Sequence, residues 1–148
     1  MVTCKPESPE GLLYVRSADI HLDDFGKPDV ALDYYRQAME HGYDKFACLE
    51  GIARCHMVLG DNEQAFSYYK RCVDGGHFSV SMSVNYAFLL VQRGELSSAL
   101  SALLEAQKLS DNQDVYNNLQ KYIDYTRQLI EVGHLPGDPD KIFNLHIE

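Results

Sequence analysis

The chain is predicted to be all-α, a solenoid of three helix hairpins closed by a seventh, capping helix. Three observations predict this. The stretch Gly60 to Cys72 lines up with Gly26 to Ala38 and with Gly94 to Ala106, and positions 26, 60 and 94 lie 34 apart. Four columns stay in register through the copies: Gly26/Gly60/Gly94, Ala31/Ala65/Ala99, Tyr35/Tyr69/Leu103 and Ala38/Cys72/Ala106. The last three columns are spaced so as to share one helix face. A fixed period of 20 to 50 residues marks a repeat array whose units stack on their neighbours.

Each element has its own signal. Residues 1 to 10 carry two prolines among small polar residues and read as a flexible lead, with domain residues from 12 onward. A first helix is expected from about Leu12 to Phe25, closed by Gly26 in the left-handed conformation that glycine tolerates. Pro28 opens the second helix, where its missing N–H costs nothing, and that helix runs to about His41. The next pair spans about Lys45 to Leu59 and Asn62 to Asp74, with Asp61 as the N-cap of the latter. The third pair spans about Ser79 to Arg93 and Leu96 to Leu109. The small alanines let neighbouring helices approach, and the tyrosines or leucine fill the space beside them.

A seventh helix is expected from about Asp114 to Val132. Gln120 and Lys121 fall where small or apolar residues would continue the array, so this helix reads as a cap with one polar face. Gly133 ends it. The segment from His134 to Asp140 is too rich in proline and glycine to be helical. The tail, residues 133–148, closes on Phe143, Leu145 and Ile147 alternating with Asn144, His146 and Glu148, a period-two pattern suited to an extended peptide. Docked in the chain's own groove, the tail would compete with ligand. Exchanged with a second copy, it would make a homodimer.

These columns resemble those of the tetratricopeptide repeat family. The likeness covers roughly Leu12 to Ile130, with repeats at 12–45, 46–79 and 80–113 and the capping helix at 114–132. The endings with Gly42 and Gly76 are similar to the related Sel-one-like repeats. The match is thinner in the first helix of each pair. Val15, Leu49 and Ser83 stand where the family carries a large aromatic, and Asp19 stands in the small-residue column of Ala53 and Ala87. Loose packing or a one-residue register shift of the first helix follows. The resemblance implies a right-handed α-solenoid that binds proteins or peptides in a concave groove lined by the first helix of each pair.

By that likeness the groove columns are Arg16, Glu50, Val84 and Asn118; Ile20, Arg54, Phe88 and Tyr122; and Asp23, Met57, Val91 and Tyr125. One half of the groove is then charged and the other apolar and aromatic. Apolar patches of that kind mark interaction sites, unless the seventh helix packs back and buries part of the set. Glu50 and Arg54 are spaced to pair with each other, and Asp23 with Asp24 forms a carboxylate pair suited to a solvated turn or to a basic side chain. A clamp for terminal carboxylates is not expected. Its basic and amide positions correspond to Arg16, Ile20, Gly51, Ser81 and Asn85, of which only Arg16 fits.

The remaining chemistry is sparse. No phosphate-binding glycine loop, nucleophile elbow or zinc-protease motif occurs, so the chain is not expected to be an enzyme or to need a cofactor or metal. Cys4, Cys48, Cys55 and Cys72 lack metal-ligand spacing and read as reduced packing thiols. The net charge of −9 disfavours nucleic acid and anionic membranes, and no apolar run is long enough to span a bilayer. With no signal-peptide pattern, a cytoplasmic location is expected. The reading is a protein- or peptide-binding adaptor. A secretion-type chaperone holding an extended segment and a self-associating structural protein are its rivals.

Overall fold

The computed structural model describes residues 9–132, and every described element is helical. The lead before Pro9 and the tail after Val132, with its expected strand-like docking, lie outside the described residues. Seven helices run in order: α1 (Pro9–Asp23), α2 (Pro28–Glu40), α3 (Lys45–Val58), α4 (Asn62–Asp74), α5 (Val80–Gln92), α6 (Leu96–Leu109) and α7 (Gln113–Val132). α1 starts three residues before the expected Leu12. Pro9 belongs to the first helical turn, where a proline costs nothing, rather than to the lead.

The described chain divides into two compact units, the first ending at His77 and the second beginning at Phe78. In the first, α1 packs on α2, α2 on α3 and α3 on α4, and α1 also meets α3. In the second, α5 packs on α6 and α6 on α7, which also reaches α5.

The repeated columns are the cores of these units. Ala31, Ala65, Ala99, Ala38, Cys72 and Ala106 are fully buried, as are Tyr69 and Leu103, and Tyr35 nearly so. Side-chain caps start four helices, α7 among them, where Asn112 Oδ1 accepts from the Asp114 and Val115 amides. Asp44 accepts from the Phe46 and Ala47 amides, Asp61 from Gln64, and Ser79 from Met82. α2 has no such cap and begins instead at Pro28. In α7, Gln120 breaks the small-residue column and is satisfied across the pair by Gln107, whose Nε2 donates to it at 2.9 Å.

The turns after α3 and α5 are alike. Gly60 and Gly94 take φ of 82° and 78°, and the next amide reaches back five residues, from Asp61 to His56 O at 2.8 Å and from Glu95 to Leu90 O at 2.9 Å. The turn after α1 is one residue longer, 24–27 against 59–61. There the Lys27 amide reaches back six residues, to His21 O at 2.7 Å. α1 is therefore displaced by one residue against the 34-residue count. Ala18, fully buried, takes the place of Ala53 and Ala87, and Asp19 does not. Two equivalent histidine–tyrosine ring contacts, the first tilted and the second stacked, show the same offset. His21 lies 5.1 Å from Tyr34 and His56 lies 5.4 Å from Tyr68; the histidines are 35 apart and the tyrosines 34.

Candidate functional site

The displacement of α1 reassigns the first third of the expected groove. Counted by structural position, Val15 stands with Glu50 and Val84, Asp19 with Arg54 and Phe88, and Leu22 with Met57 and Val91. Exposure follows this order. Leu22, Met57 and Val91 are all buried, whereas Asp23, the residue expected in that column, is exposed. Arg16 and Ile20 likewise lie one residue out of the columns expected of them. The physical reason is the extra turn residue.

What the first unit does assemble is a polar junction between α1, α2 and α3. The Tyr35 hydroxyl donates to Asp19 Oδ1, and Arg54 Nη2 donates to Asp23 Oδ1, so α3 is tied to α1 by an ion pair. Burial pushes the Tyr35 hydroxyl well above the ordinary phenol range, and the Asp19 carboxylate adds to the effect. Partial burial works against the Arg54 charge, but the Asp23 carboxylate together with Tyr35 and Tyr69 offsets it, and the guanidinium pKa is raised. The room for Tyr35 comes from Gly51. A Cβ at that position would stand 2.4 Å from Tyr35 Cζ.

Glu50 and Arg54 find different neighbours rather than each other. Arg54 takes Asp23, while Glu50 Oε1 lies 3.5 Å from His77 Nε2. The His77 ring stacks on Phe46 at 5.5 Å, and Gly75 leaves space for that phenyl ring. Met57 is buried. Glu50 and Arg54 are half-buried, so the α1–α3 face of this unit presents charged groups held in place but still reachable by water. Asp23 is paired within the chain by Arg54, while Asp24 stays exposed.

In the second unit the expected apolar patch is interior. Phe88, Val91, Tyr122 and Tyr125 are buried and Val84 half-buried; only Asn118 of that set is exposed. Burial raises the pKa of the Tyr122 hydroxyl, and the Thr126 hydroxyl donates to the Tyr122 carbonyl at 2.7 Å. An aromatic set read from sequence as an open surface therefore packs as core. No sequence signal separated the two, because an apolar stripe has the same spacing in a groove as in an interface.

The described cysteines are buried thiols. Desolvation pushes Cys48 and Cys55 up to about 12 and Cys72 to about 11, out of the range where thiolates form near neutral pH. Among the described residues no cluster of three or more metal-ligating side chains occurs, and no helix is long and apolar enough to cross a membrane. The sequence matches no protein-family model and no curated protein.

Proposed function

We propose that the chain is a tetratricopeptide-type α-solenoid that serves as a protein-binding adaptor and takes an extended peptide along the faces of α1 and α3. The observation that carries this reading is the junction of those helices. The Arg54–Asp23 pair holds the two side by side, and Glu50 and Arg54 are fixed at half-exposed positions where a ligand can meet them. Charged groups held by neighbours on a rigid scaffold recognise a peptide at small entropic cost. In the second unit, taken by itself, Val84 is half-buried and Asn118 exposed. Phe88, Tyr122 and Tyr125 act there as packing residues, and a ligand reaches them only by uncovering them.

The test is selection of binders from a displayed library of random peptides, followed by calorimetry with Glu50→Ala and Arg54→Ala. Loss of about tenfold in affinity with an unchanged melting temperature supports the reading. Selected peptides that bind both variants as well as the parent chain, or a selection that yields none, would discard it.

A further inference from the structure

The one-residue offset of α1 also identifies a second face. In α3, Cys48, Gly51 and Cys55 form a stripe at i, i+3 and i+7, and all three are buried. This stripe faces α2. The Tyr35 ring lies against Gly51, and Cys55 belongs to the same cluster as Tyr35 and Ala31. The structurally equivalent stripe of α1, offset by 35, is Leu13, Arg16 and Ile20. It is open: Leu13 is 66% exposed and Ile20 44%, and Arg16 is exposed with no ion-pair partner among the described residues.

We propose that the Leu13–Arg16–Ile20 stripe is a docking face for one amphipathic helix of a partner protein, carrying a carboxylate between apolar residues. The position of a helix on this stripe is set by the way α2 sits on the same stripe of α3. The chemistry of its centre is set by Arg16. Where Gly51 admits an aromatic ring against the backbone, Arg16 blocks that approach and offers a guanidinium between two aliphatic side chains. A carboxylate is the complement that satisfies it, by two parallel N–H···O bonds in a site that the flanking apolar residues shield from water. A second copy of the chain is a poor occupant. Pairing Leu13 with Ile20 of another α1 in opposite directions places the two Arg16 side chains together, and like charges there repel. Asp23 of the α1–α3 junction continues this side of α1 beyond Ile20, so the two proposals are told apart by their variants: Glu50 and Arg54 report on the peptide site, Leu13 and Arg16 on this stripe.

The probe is built from α2 itself. A labelled synthetic peptide covering residues 27–43 with Tyr35→Glu sets a carboxylate among Ala31, Leu32, Ala38 and Met39. A Tyr35→Lys peptide is its charge-reversed control. Fluorescence anisotropy against the full chain at low salt should show binding of the Tyr35→Glu peptide and a preference of about tenfold over the control. Arg16→Glu should invert that preference, and Leu13→Asp should weaken both peptides, each variant keeping the parent's melting curve because the residues are exposed. The proposal is overturned if the two peptides bind alike, if Arg16→Glu leaves the preference unchanged, or if the Tyr35→Glu peptide does not bind at all. It is also overturned if light scattering finds a dimer of the unliganded chain that Leu13→Asp dissociates, since the occupant is then a second copy.

Discussion

Arg54 of the first unit and Phe88 of the second occupy the same position in their repeats, 34 residues apart, and have opposite fates. Arg54 is half-exposed, tied to Asp23 on the neighbouring helix, with Tyr35 and Asp19 beside it. Phe88 is 2% exposed. One column thus serves as a charged surface in one unit and as hydrophobic core in the other. The difference teaches that a repeat fixes where a side chain starts, not whether water reaches it. That depends on what else packs there, and a charged residue stays at the boundary because full burial of its charge is too costly.

Four changes break or sharpen this contrast. The largest effect is expected from Phe88→Ala, which should cost about 3–5 kcal/mol in denaturant unfolding as a truncated core aromatic. A loss below about 1 kcal/mol would return Phe88 to the surface class of Arg54. Next is Gly51→Ala. The new methyl meets the Tyr35 ring at the heart of the polar junction, and overpacking of about 1–3 kcal/mol should outweigh the better helix propensity of alanine. A gain in melting temperature would mean that the ring gives way freely.

The third change is in pH. Burial lowers the pKa of His56 below its ordinary 6.5, with the Asp61 carboxylate opposing and Arg36 reinforcing the shift. The unfolded chain therefore takes up this proton at higher pH than the folded one. The stability contributed by neutral His56 is complete above pH 6.5 and is lost as pH falls below it through the lower folded value. Chemical unfolding from pH 7.5 to 5 should show that loss, and His56→Gln should reduce it. The smallest effect is expected from Arg54→Ala. A partly exposed ion pair contributes about 0–1 kcal/mol, so the melt should barely move even where peptide affinity falls.

Much of the fold was legible because the signals were local. Gly60 and Gly94 mark turns, Asp61 is a cap, and the buried alanine columns recur with helical spacing whatever surrounds them. The α1 side of the site was less legible. The count of 34 is anchored in α2, α4 and α6, and it stays intact when one residue is added before Gly26. Only α1 feels the insertion. The clues were the misplaced Asp19 beside Ala18 and the 35-residue interval between His21 and His56. Burial of Phe88, Tyr122 and Tyr125 was legible only as an alternative to an open groove, because it depends on tertiary packing that a stripe of apolar residues does not encode.

The longer turn after α1 acts as a phase setting. Successive residues on a helix are about 100° apart. With the three-residue turn found after α3 and α5, the present sequence would place Asp19 in the alanine column and carry Arg16 and Ile20 to the columns of Glu50 and Arg54. The four-residue turn puts Ala18 there instead, and a carboxylate is kept out of the tightest packing. Removing the exposed Phe25 would leave Ala18 34 residues before Ala53, so an ordinary turn would then hold the same buried face. A surface turn here determines which side chains of the preceding helix are available to a partner, without itself touching one.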